Sequence, residues 1–95
     1  MEIMSGRSDD KSFAIEVVTP ARVVHAGRAT TVVAPAADGY LGILANHAPM
    51  LVTLTPGRIA ARNPEGAMTY WRNERGGFLE VRENRVIILA DEVVG

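Results

Sequence analysis

The stretch "GGFLEVRENRVIILA", residues 76–90, decides the fold class. In its first half Leu79 and Val81 oppose Phe78, Glu80 and Arg82, the period of two that sends alternate side chains to opposite faces of a strand. Its second half, "RVIILA" (85–90), is apolar on both faces for four residues, as a strand lying between two layers is. Between the halves, Glu83-Asn84 has the length of a two-residue hairpin turn.

The rest of the chain repeats this alternation of short apolar runs and turn residues. "FAIEVV" (13–18) sets Phe13, Ile15 and Val17 against Ala14, Glu16 and Val18, and ends at Thr19-Pro20. "RVVHA" (22–26) ends at Gly27, and "ATTVVA" (29–34) ends in "PAADG". "YLGIL" (40–44), "MLVTLT" (50–55) and "GRIAAR" (57–62) follow, the last two joined by Pro56-Gly57, which suits a type II turn. "NPEG" (63–66) has the type I pattern, and "AMTYWR" (67–72) leads towards Gly76-Gly77. No window holds a helical stripe of useful length, and only "DEVVG" (91–95) has room to begin a helix. About nine short segments at near-regular spacing predict an all-β, antiparallel β-sandwich.

Composition narrows the function. Ninety-five residues suffice for one core. The expected division is a flexible N-terminal tail over 1–12, "MEIMSGRSDDKS", and a domain over 13–95. A net charge of −1 provides no global field to collect nucleic acid or anionic lipid. The absence of cysteine removes disulfides, thiolate chemistry and Cys-based zinc sites. The tail has no apolar h-region, and no run approaches the roughly 20 apolar residues of a membrane span.

Catalysis is poorly supported. Ser5, Ser8, Ser12 and the single lysine, Lys11, all fall in the tail. His47 with Asp38 or Glu80 forms at best a dyad without the third group that orients a general base. A small hydrolase on those residues is therefore the weakest reading. His25 and His47 stand 22 residues apart with no ligand at short spacing, so no metal is expected. "GYLG" lacks the lysine and hydroxyl of a phosphate loop. The five arginines from Arg62 to Arg85 are interleaved with Glu65, Glu74, Glu80 and Glu83, as on a mixed-charge sheet surface.

Interaction is the better reading. "DGYLGILANHAP" (38–49) has one charge, and its apolar side chains must be covered by core or partner. Leu41 and Ile43 fit core-facing strand positions; Tyr40, His47 and the "HAP" turn do not. Trp71, beside Arg72, is open between packing in the sandwich and serving as a contact.

Here the residues resemble a known family. "ADGYLGILANHAPMLVTLTPG" (37–57) and "GGFLEVRENRVIILADE" (76–92) are similar to the N-terminal domain of the epsilon subunit of bacterial and chloroplast F-type ATP synthases, called delta in mitochondria. The pattern is carried by Asp38-Gly39, Leu41-Gly42-Ile43, His47-Ala48-Pro49, Pro56-Gly57, Gly76-Gly77, Glu80-Val81, Asn84-Arg85-Val86 and Leu89-Ala90-Asp91, with "VVTPAR" (17–22) before them. It covers about residues 13–92.

The resemblance implies a sandwich of two roughly five-stranded sheets, and a non-catalytic role in the central stalk. Such a subunit binds gamma, touches the membrane ring, and helps couple proton-driven rotation to ATP synthesis. It implies ring contact for Asp38, Gly39 and Tyr40, and gamma contact for His47, Ala48 and Pro49. Met50, Val52 and Trp71 join them as expected partner-binding residues. No cofactor, nucleic acid, small-molecule substrate or lipid insertion is expected. The location implied is peripheral, on the cytoplasmic face of a bacterial inner membrane or the matrix or stroma face of an organelle. The family usually continues into a C-terminal helical hairpin, absent from this sequence, so ATP binding and restraint of hydrolysis are not carried over. Some members have an acid where Tyr40 stands, and "YWRNER" (70–75) is bulkier than usual. The alternative is a free-standing β-sandwich adaptor for another protein.

Overall fold

The computed structural model describes residues 11–95, and among these every regular element is a strand. In chain order they are β1 (Phe13–Val18), β2 (Val23–Ala29), β3 (Thr31–Ala36), β4 (Gly39–Leu44), β5 (Met50–Leu54), β6 (Gly57–Arg62), β7 (Met68–Asn73), β8 (Gly77–Arg82), β9 (Arg85–Ala90) and β10 (Val93–Val94). One sheet runs β10-β7-β6-β3-β4 and the other β5-β8-β9-β1-β2. They are stitched where β3 passes β5, through the single pair Ala36 and Leu54.

Two local expectations need correction. All pairs are antiparallel except β1 beside β9, which run parallel. Hairpins impose antiparallel pairing on neighbours in sequence, but no turn joins β1 to β9 to set their direction. "DEVVG" does not begin a helix: Val93 and Val94 pair with Asn73 and Arg72 along the open edge of β7. A helical nucleus is costly for so few residues, whereas a strand edge offers ready partners.

The core follows the alternation. Phe13, Ile15 and Val17 of β1 are buried with Leu79 and Val81 of β8 and Val86 and Ile88 of β9. They belong to one apolar cluster with Val32, Ala34, Ile43, Ile59 and Ala61 of the other sheet. β9 departs from its expected place between two layers. Its second face is only partly covered by the described residues, with Ile87 half-buried and Leu89 48% exposed.

Turn chemistry fixes the register. Glu83 (φ 51°) and Asn84 (φ 58°) both take the left-handed conformation that a two-residue hairpin demands. The "NPEG" turn closes through Gly66 N–H donating to Asn63 O at 2.9 Å. Gly57, at φ 153°, opens β6 rather than completing the type II turn, which needs about +80°. Left-handed φ costs an L side chain about 1–2 kcal/mol, of which glycine's entropy returns about half. Glu83→Gly should therefore raise stability by about 0.5 kcal/mol in urea denaturation.

Alternation along β7 turns Trp71 and Asn73 inward. Trp71 is 4% exposed and packs in the core, with the His25 ring 4.9 Å from its own. This decides the alternative left open by the sequence and removes Trp71 from the exposed contact residues. Asn73 is fully buried, donating from Nδ2 to Thr55 O at 3.1 Å and accepting at Oδ1 from Gly76 N–H at 2.9 Å. Removing that carboxamide strands two backbone groups, so Asn73→Ala should cost about 2–3 kcal/mol, measured by urea denaturation.

Of the expected tail, residues 1–10 lie outside the described residues. Ser12 is buried, and its Oγ accepts from Arg28 Nε and Nη2 at 3.2 and 2.8 Å.

Candidate functional site

Strand register places the two turns singled out in the sequence at opposite ends of the sandwich. The first joins β3 to β4, with Ala36 paired to Gly39 and Pro35 to Tyr40. Asp38 and Gly39 are exposed, and Gly39 takes the reversal at φ 119°. Tyr40 is 65% exposed, and a Cβ added at Gly57 would lie 3.4 Å from its hydroxyl and 3.0 Å from Pro35 Cγ. The absence of a side chain at Gly57 therefore leaves room for the ring beside Pro35. Thr55 N–H donates to Pro35 O at 3.1 Å, so the start of β6 belongs to this end too.

The second turn lies between β4 and β5, and β5 runs from it back to the Thr55 end. His47 is half-buried, while Ala48 and Pro49 are exposed. Its Nδ1 lies 2.8 Å from Ala48 O. A carbonyl only accepts, so Nδ1 carries the proton and donates to it. Asn46, just before it, is left-handed at φ 61°, and its N–H donates to Asn84 Oδ1 at 2.7 Å.

Met50 and Val52 pair with the buried Val81 and Leu79, and both lean on the core. The exposed residues of that strand are Leu51, at 70%, and Thr53. "MLVTL" is apolar on nearly every position, so its period does not say which set faces inward.

Leu51 belongs to a face the sequence reading missed. On the outer surface of the β5-β8-β9-β1-β2 sheet, Thr53 pairs with Phe78, Phe78 with Leu89, Leu89 with Val18 and Val18 with Val23. Phe78 is 50% exposed, and Val23 is also exposed. The next row holds Leu51, Glu80, Ile87 and Glu16, and the row after it Arg82 and Arg85 near the His47 turn. A row that is apolar on four of its five strands, flanked by Arg75 and Asp91 on one side and by Glu80 and Glu16 on the other, is the pattern of an interface with a charged rim. The available signal was "RVIILA", whose second apolar face needs covering.

Among the described residues no three His, Cys, Asp or Glu side chains gather into a metal site. Glu80 points outward between Leu51 and Ile87, and Asp38 lies at the other end of the sandwich from His47. The acid and the histidine are not brought together.

A sequence model of the family described as the ATP synthase delta/epsilon chain, beta-sandwich domain, matches residues 12–95. The ATP synthase epsilon chain of Dichelobacter nodosus is 41% identical over 80 residues, covering 84% of this chain and 55% of that one. That of Chlorobium limicola is 36% identical over 86 residues, covering 90% of this chain and 97% of that one. The Moorella thermoacetica epsilon chain is 44% identical over 84 residues, covering 84% and 59%. The chain thus spans a little over half the length of two of these relatives and nearly all of the third. A chain of the Euglena gracilis mitochondrial ATP synthase, seen with OSCP, F1 and c-ring, shares the fold at TM-score 0.82 and 20% identity, over 88% of this chain and 53% of that one. A chain of the Tetrahymena thermophila mitochondrial ATP synthase central stalk and c-ring does so at TM-score 0.71 and 17% identity, over 84% and 63%. With its ten strands, its turns and its sequence in agreement, the chain belongs to the delta/epsilon beta-sandwich family of the ATP synthase.

Proposed function

We propose that the domain, residues 13–95, is a non-catalytic part of the central stalk of an F-type ATP synthase. It binds gamma through the outer face of the β5-β8-β9-β1-β2 sheet, with the His47–Pro49 turn at one end of that face. It meets the polar loops of the membrane ring through the Asp38–Tyr40 turn. The observation that carries this reading is the exposed Phe78–Leu89 row, an apolar surface on the sheet between two turns at opposite ends.

The physics of a rotor supports it. A part that passes torque between ring and stalk needs separate contacts at separate places and a body that does not yield between them. A close-packed sandwich is such a body, and turns fixed on a rigid scaffold present their side chains reproducibly. Gamma is the second layer over β9. Tyr40 gives the ring a hydrogen-bonding, partly apolar contact where some relatives offer an acid. The protein is then peripheral to the membrane, on the side of the catalytic head, and neither binds nor hydrolyses ATP itself.

Calorimetric titration of the chain into an alpha-beta-gamma subcomplex tests this directly. One chain per gamma at about micromolar affinity or better is the expected result, with no binding to alpha-beta alone. Binding that is absent with gamma, or equal without it, would leave the free-standing adaptor as the better account.

A further inference from the structure

We infer that Asn84 is the positioning residue of the His47–Pro49 turn, holding a partner-binding loop from the neighbouring hairpin. Asn84 occupies the second turn position between β8 and β9 and spends little of its side chain there. Its Oδ1 accepts the Asn46 N–H at 2.7 Å, and its Nδ2 donates to the Ser12 carbonyl at 2.9 Å. Its own carbonyl accepts the Ala14 N–H at 3.2 Å. One turn residue thereby joins three stretches of chain: its own hairpin, the entry to β1, and the loop before His47.

The chemistry requires a carboxamide. A single side chain must accept from one backbone and donate to another, and among residues that tolerate left-handed φ only asparagine does both. Asn46, which receives the clamp, is itself left-handed at φ 61°. A backbone in that sparsely populated state is held by its surroundings rather than by its own preference. The order then propagates along the loop: Asn46 is fixed, His47 follows it, and the Nδ1–H bond to Ala48 O ties its ring to the turn. A loop already in its bound conformation loses less entropy when a partner docks.

The effect on gamma rests on the docking reading above; the clamp itself does not. Two substitutions separate its halves. Asn84→Gly keeps the backbone conformation and removes both side-chain bonds. Asn84→Asp retains an acceptor for Asn46 but loses the donor to Ser12. Glu83→Gly alters the same turn without touching either bond.

Three readouts decide the matter: exchange of the Asn46 amide by NMR, gamma affinity by titration, and melting temperature. Asn84→Gly should speed Asn46 exchange and weaken gamma binding, each about tenfold. Asn84→Asp should melt lower than wild type yet keep both exchange and affinity within about threefold, because the Asn46 bond survives. Glu83→Gly should change neither. Unchanged Asn46 exchange in Asn84→Gly would overturn the clamp. So would affinities that follow melting temperature across all three variants, since a general loss of stability then explains them. A wild-type chain that ignores gamma would overturn the docking reading and the binding half of this inference, while Asn46 exchange still decides the clamp.

Discussion

Gly77→Ala is expected to remove most of the domain's stability, about 4 kcal/mol or more, the range reached only by a change the structure cannot absorb. Gly77 opens β8 and pairs with Leu54 on one side and Ala90 on the other, so backbone surrounds it. An added Cβ would be driven into the Leu89 carbonyl oxygen and would lie 2.9 Å from Ala90 Cα. Neither atom is the free end of a side chain, so relief requires parting β8 from β9 in the middle of the sheet. Gly42 provides the contrast, because a Cβ there meets nothing within 4 Å. Gly42→Ala should therefore stay within about 0.5 kcal/mol of wild type. Urea denaturation of the two variants measures both, and a loss below about 1 kcal/mol for Gly77→Ala would contradict the packing described here.

The second large effect is on binding. Phe78→Glu should weaken association with gamma about 100-fold or more, because it places a charge in the middle of the apolar row proposed above as the gamma contact. Folding should change by less than about 1 kcal/mol, since half of the Phe78 side chain already faces solvent. Titration with gamma reads the first quantity and urea denaturation the second. An affinity within threefold of wild type would remove this face from the docking surface.

Local order was legible in the sequence and partnership was not. The hairpin from Gly77 to Ala90 was readable because its alternation and its Glu83-Asn84 turn describe a single unit of neighbouring residues. The pairing of β1 with β9 was not, because no turn joins strands so far apart, and nothing near Phe13 names Val86 as a neighbour. β10 escaped notice for a related reason: two residues show no period, and the open edge of β7 made them a strand.

The candidate site divides the same way. Turn composition drew attention to Asp38–Tyr40 and His47–Pro49, and the structure places these turns at opposite ends of β5. Composition alone did not orient β5 and β9, whose faces are apolar on both sides. The sequence reading therefore picks Met50 and Val52, which lean on the core, while Leu51 and Thr53 are the exposed residues of β5, and it places between two layers a strand whose Leu89 is 48% exposed. Trp71 had the chemistry of an interface anchor, but its place in the alternation of β7 put it in the core.

The most direct measurement exploits the absence of cysteine from the chain. Single Phe78→Cys, Tyr40→Cys and Glu65→Cys variants, each carrying a photoactivatable maleimide, would be assembled into the complete ATP synthase and irradiated. The account predicts crosslinks to gamma from position 78, to the ring subunit from position 40, and to neither from position 65 in the exposed β6–β7 turn. Crosslinks from position 78 to anything but gamma, or a position 40 that never reaches the ring, would contradict it.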